Sequence, residues 1–183
     1  MKKIISLFQR NYDGDHLVRE EIVVGAEWVL RGEGIATRKF DGTCCLVRDG
    51  KLFKRYELKR GKIPPEGFEP AGEVDSITGN SPGWLPVSER PDDRYHREAF
   101  SVDLPNGTYE LCGPKVQGNP EGILYHTLVP HGIETLPECP RSFDEIRAYL
   151  ISHNIEGIVW HHLDGRMVKI KGRDFGIKRV ISN

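Results

Sequence analysis

Nowhere does an apolar run approach the roughly 20 residues that a membrane-spanning helix needs, so no membrane association is expected. The opening MKKIISLFQR carries two lysines but reaches polar residues at once, and it lacks the apolar core of a secretory signal. Cysteine is sparse. Cys44, Cys45, Cys112 and Cys139 have neither zinc-ribbon spacing nor the pattern of a disulfide framework, and they read as reduced thiols of a cytoplasmic or otherwise intracellular protein. His161 and His162 are adjacent and so lack the one-face spacing of a helical metal pair, which argues against a structural zinc site. Charge of one sign is missing too. Twenty-six basic against 27 acidic residues leave a net charge of -1, and that balance alone does not indicate a nucleic-acid binder. Low-complexity runs and internal repeats are absent.

What is present is a chain of 183 residues, a length that suits one domain spanning 1–183 around one sizeable core. Twenty Gly and 12 Pro point to many turns and short elements. Segments 48–62 and 166–179 are rich in Lys and Arg, while acidic residues gather at 66–75, 89–93 and 134–145. One reading is a mixed solvated surface. The other is two basic segments lining one phosphate site.

Residues 3–8 have the composition of a short strand, and 22–29 of a strand or a helix end. Runs 35–40, 43–48 and 51–56 are separated by Asp41-Gly42 and Asp49-Gly50, which predicts an antiparallel meander. Residues 57–70 and 79–94 read as irregular loops, the second pinned by Trp84 and Leu85. Residues 107–112 and 123–129 have strand composition. Ser142–Ser152 is the best helix: Ser142 and Glu145 offer a capping box, and Phe143, Ile146 and Leu150 share a face. Segments 156–162 and 166–171 flank Asp164-Gly165 as a hairpin. The expected class is α+β, dominated by antiparallel strands.

Chemistry concentrates in four places. Lys39 stands beside the tight Asp41-Gly42 step. It is either a surface hairpin residue or, if flanking strands desolvate it or nearby cations repel its proton, a nucleophile, with Gly42 letting backbone approach a ligand. In Val168–Lys171, alternation puts Lys169 and Lys171 on one face, either solvated or meeting an anion, with Met167 fitting neither face cleanly. Glu156 heads the E-G-I-V strand and Glu110 lies within G-T-Y-E-L-C-G. A charge inside an apolar strand must be solvated or paired.

Taken in order, these pieces resemble the covalent nucleotidyltransferase superfamily of polynucleotide ligases and mRNA capping enzymes, and within it the ATP-dependent RNA ligases. Lys39–Gly42 (KFDG) resembles the nucleotidyl-lysine motif, and Arg55 in F-K-R-Y the arginine of the next motif. Glu110 resembles the acidic central motif, Glu156–Val159 the E-G-hydrophobic motif, and Lys169-Ile170-Lys171 the closing K-x-K motif. The likeness extends over roughly residues 35–172.

The resemblance implies an antiparallel-sheet-rich nucleotidyltransferase (adenylation) domain without a C-terminal OB domain, since 12 residues follow Lys171. It implies that Lys39 takes AMP from ATP, passes it to an RNA 5′ phosphate, and that a 3′ hydroxyl then displaces AMP. Asp41 and Gly42 would shape the turn, Arg55 contact the nucleotide or the 5′ phosphate, and Glu110 contact the ribose. Glu156 would place Mg2+ or Mn2+ and orient Lys39, while Lys169 and Lys171 neutralise the α-phosphate. Thr37 and Arg38 would read the purine edge, and Tyr125 would stack on the purine. The partners implied are RNA ends, gripped by the helix and loops, by a recruited partner or by a homodimer. DNA ligase, mRNA guanylyltransferase and a non-catalytic nucleotide- or RNA-binding module are the alternatives.

Overall fold

A computed structural model describes residues 4–76 and 78–180. Along the chain lie β1 (Ile5–Ser6), β2 (Phe8–Arg10), β3 (Val18–Ile22), the short α1 (Glu27–Leu30) and β4 (Ile35–Lys39). Next come β5 (Thr43–Arg48), β6 (Lys51–Leu58), β7 (Glu69–Pro70), β8 (Ser81–Pro86), α2 (Arg94–Ala99), β9 (Gly107–Cys112) and β10 (Thr127–Pro130). The chain closes through α3 (Phe143–Ser152), β11 (Gly157–His161) and β12 (Met167–Lys171). The class is α+β and sheet-rich, as the composition implied, with every strand pair antiparallel except the short β1 against β12.

The described chain forms two compact units, and its apolar side chains gather in two clusters, not in the one sizeable core expected. The first unit, Gly42–His131, holds a six-stranded sheet in the order β10-β9-β5-β6-β8-β7. Alternation sends Cys45, Val47, Tyr109, Leu111 and Leu128 to a core face, where Tyr95 and Ala99 of α2 pack against them. Asp49 and Gly50 both take positive φ (52° and 68°), the backbone that a two-residue hairpin between β5 and β6 demands.

The second unit comprises Ile4–Asp41 and residues 132–183, described to Val180, with a four-stranded sheet ordered β1-β12-β11-β4. Its central strand β11, flanked by β12 and β4, buries Gly157 to Trp160 without a break. Ile158, Trp160, Val168 and Ile170 of the sheet meet Trp28 and Val29 of α1, Phe8 and Val18 of the β2–β3 hairpin, and Ile146 and Leu150 of α3.

Several expectations change. Strand β4 is not part of the meander: it pairs with β11, while β5 pairs with β6 and β9, so Asp41-Gly42 is a crossing between two sheets and not a hairpin turn. Residues 79–94 are no simple loop. Ser81–Pro86 forms β8, bonded to β6 along its length and to β7 at Gly83 and Trp84. Strand β6 runs on to Leu58, and Glu69–Pro70 adds β7 to the edge. The 22–29 segment divides into the end of β3 and α1, and of the 123–129 run only 127–129 joins a sheet, in β10, which continues to Pro130. Residue 3 of the first expected strand lies outside the described residues. The α3 capping box does not form, because the Ser142 hydroxyl turns to the Glu145 carboxylate (2.6 Å) and leaves the helix amides alone.

Candidate active site

The second unit places three of the expected motifs side by side. Gly157 of β11 pairs with Lys39 of β4 on one flank and with Lys171 of β12 on the other. Directly paired residues share a sheet face, so the two lysines rise on either side of a residue without a side chain. That gap is obligatory: a Cβ on Gly157 would sit 2.1 Å from the Ile170 carbonyl oxygen. The next row holds Thr37, Val159 and Lys169 on the same face.

Glu156 precedes this row and closes the cluster. Its Oε2 accepts from Lys39 Nζ and its Oε1 from Lys171 Nζ, each at 2.6 Å. The carboxylate is 8% exposed. Burial pushes its pKa up, but the two ammonium groups outweigh this and hold it below the ordinary value. Lys169 has the opposite fate. Burial, then repulsion from Lys171 and Lys39, brings its ammonium down to about 8, with Glu156 and Asp174 opposing only in part. Asp41 is raised by burial and by Glu156, and it lies 3.6 Å from Arg179. The face therefore carries three closely set amines and one carboxylate between two of them, an arrangement built for an anion.

Divalent cations fit this cluster poorly by themselves, because both Glu156 oxygens already accept from ammonium groups. Mg2+ is commonly held by one or two carboxylates together with substrate phosphates, and Glu156 suits it only in that company.

Behind Lys171 the chain turns into a single 3-10 turn, Gly172–Phe175. Asp174, 3% exposed, accepts from the Lys171 backbone N–H (3.0 Å) and pairs with the Arg10 guanidinium. Thr37 donates to the Val159 carbonyl (3.1 Å) and lies 3.0 Å from His161 Nε2. Met167 shares the lysines' face, since Val168 and Ile170 fill the core on the other. Arg38 does not join Thr37 and Lys39. Strand alternation turns it to the opposite face, where it pairs with Glu134 (3.2 Å) and lies over the Phe40 ring.

In the first unit, Glu110 is 7% exposed on β9, between β10 and β5, paired with Cys44 and Val129. Its Oε2 lies 2.8 Å from His131 Nε2, and His131 Nδ1 lies 2.9 Å from Thr108 Oγ1. Arg55 shares this face by alternation, its guanidinium 5.1 Å from the centre of the Trp84 ring. Gly42 answers to a neighbour within the protein: a Cβ there would lie 2.1 Å from the Leu111 carbonyl oxygen. Tyr125 precedes β10 and is 79% exposed, outside the strands of the sheet.

A family model for RNA ligase 1 matches residues 99–183, which include Glu110, Glu156, Lys169 and Lys171. RNA ligase 1 of Pongo abelii is 27% identical, the match covering 78% of this chain and 67% of that protein. RNA ligase 1 of Danio rerio is 27% identical over 81% and 69%, and that of Mus musculus 26% over 78% and 67%. These matches support an RNA ligase family member. None of the described helices is long and apolar enough to cross a membrane.

Sequence reasoning missed Asp174, Arg10 and His131. Asp174 follows Lys171 by three positions, an available capping signal. Arg10 and His131 carried no local signal, because their partners lie 164 and 21 positions away.

Proposed function

We propose that this chain is an ATP-dependent RNA ligase that carries AMP on Lys39 and acts as one nucleotidyltransferase domain over residues 1–183. The observation that carries the reading is the Lys39–Glu156–Lys171 cluster, two amines bridged by one buried carboxylate with Lys169 in the adjacent row. An amine so placed has a proton acceptor in contact and an electropositive surface for a phosphate beside it.

In the first step, Lys39 Nζ attacks the α-phosphorus of ATP. An N–P bond forms, the bond to pyrophosphate breaks, and the lysine proton passes toward Glu156. Lys171 and Lys169 meet the charge that develops on the α-phosphate. Mg2+ or Mn2+, entering with the triphosphate beside Glu156, would screen the leaving pyrophosphate. Thr37 lines the Lys39 face; the family resemblance would give Glu110 the ribose and Arg55 a phosphate. In the second step AMP moves to the RNA 5′ phosphate and frees the lysine. In the third the 3′ hydroxyl forms the phosphodiester and AMP departs. All three are phosphoryl transfers that ask for position and positive charge.

Intact-protein mass spectrometry after incubation with ATP and Mg2+ tests this. Wild type should gain one AMP, about 329 Da, and Lys39→Ala should gain none. Labelling by GTP in place of ATP, preference for 5′-phosphorylated DNA over RNA, or an adduct mapped to a residue other than Lys39 would each overturn the reading.

A further inference from the structure

Three side chains on the polar face of the six-stranded sheet converge. Cys44 Sγ, a Glu110 carboxylate oxygen and a His131 ring nitrogen lie within 4.8 Å of one another. They come from β5, from β9 and from the residue following β10, so no linear spacing announces them. We propose that Cys44, Glu110 and His131 form a site for a thiophilic divalent metal ion of the Zn2+ class, and that its occupation opposes nucleotide binding.

The donor set is that of such an ion: one thiolate, one imidazole and one carboxylate, with a fourth position left for water or another ligand. The outer contacts fit as well. Ligand histidines are ordinarily oriented by a partner on the second ring nitrogen, and Thr108 Oγ1 stands 2.9 Å from His131 Nδ1. The contact between Nε2 and Glu110 Oε2, at 2.8 Å, now needs a proton between two electron-rich atoms. A metal ion takes that place. The imidazole proton moves to Nδ1, where Thr108 accepts it, and the Cys44 thiol releases its proton to solvent. Metal–sulfur, metal–nitrogen and metal–oxygen bonds form, and nothing is oxidised. Backbone register keeps Cys44 opposite Glu110, so a small closing of side chains suffices.

Opposition to the nucleotide rests on the proposed reading in which Glu110 contacts the ribose. A carboxylate bound to metal is lost to that hydroxyl. Mg2+ prefers oxygen donors and enters with phosphate, so it does not compete for this thiolate.

Titration of the full chain with Co2+, monitored by absorption, tests the site directly. One equivalent should produce a thiolate-to-cobalt charge-transfer band, and Zn2+ should displace it. Cys44→Ser should remove the band, and His131→Ala should weaken Zn2+ binding at least tenfold against a chromogenic chelator. Circular dichroism of each variant separates lost ligands from lost fold. Lys39→Ala should bind Co2+ as wild type does, so the metal result stands or falls apart from the ligase reading. Adenylylation of wild type should fall with micromolar Zn2+, recover with chelator, and resist Zn2+ in Cys44→Ser. A missing charge-transfer band in folded wild type, or its persistence in Cys44→Ser, would refute the site. Equal Zn2+ inhibition of wild type and Cys44→Ser would refute the antagonism.

Discussion

Replacing Lys169 with methionine should make the protein more stable and less able to take AMP. The ammonium is brought down from 10.5 to about 8 by burial and by Lys171 and Lys39. Below about pH 8 the group is charged in both states, and the folded protein bears the full cost. Between about 8 and 10.5 the unfolded chain binds more protons than the folded one, so stability rises with pH. Above that range the cost has gone. At about 1.36 kcal/mol per unit, the penalty at neutral pH is on the order of 3 kcal/mol. Residual solvent contact reduces the expected gain to about 1–2 kcal/mol. Methionine keeps the unbranched stem that packs on β12 and discards the charge. Urea denaturation of both proteins near pH 7 and near pH 10, beside an adenylylation assay, gives the answer. Lys169→Met should be the more stable near pH 7, lose most of that advantage near pH 10, and adenylylate poorly. A less stable variant near pH 7, or a difference that ignores pH, would refute the account of Lys169 as a charge held against its preference.

Glu156→Ala should cost about 3–5 kcal/mol, because it leaves two ammonium groups beside an empty buried position, and chemical denaturation will report it. Glu156 also gives an acid limb to wild-type stability. Its depressed pKa means that the ion-pair contribution is complete above about 4.5 and lost as pH falls through the folded value; an acid titration of Glu156→Gln should lack that limb. Gly157→Ala should uncouple β11 from β12, since the added carbon meets the Ile170 oxygen at 2.1 Å; a melting temperature within a degree or so of wild type would contradict this. Arg55→Ala should depress ligation with little loss of fold, the Trp84 contact being worth about 0.5–1 kcal/mol; a thermal melt read alongside a sealing assay distinguishes the two effects.

The parts of the fold legible in the sequence were those specified by neighbours. Asp49-Gly50 and the β11–β12 hairpin were readable because a turn and its flanking strands are contiguous in sequence. Strand β8 was hidden by Pro82 and Pro86, which remove ladder donors and read as loop. It is a strand because β6 and Glu69–Pro70 accept it from both sides, a partnership no local window contains. Placement of β4 was lost for the same reason. Lys39 belongs beside Gly157, 118 positions along the chain, and not beside the strand that follows it. In the site, motif order singled out the residues that meet at Glu156, whereas face was decided by pleat: Thr37 and Arg38 are adjacent in sequence and turned apart in the sheet.

The Glu156 bridge has a kinetic meaning for the ligase reading. In the unliganded protein the seat between Lys39 and Lys171 is not vacant, because the protein's own carboxylate sits there as a tethered counter-ion. An arriving phosphate enters by exchange, taking Lys171 from Glu156 and leaving the carboxylate to Lys39 at the moment that amine must shed a proton. The exchange makes ground-state binding modest and release easy, since the tethered anion reoccupies its seat as AMP leaves. An enzyme that must load, hand over and discharge the same nucleotide gains from such a returning occupant: each departure is assisted by the group that the arrival displaced.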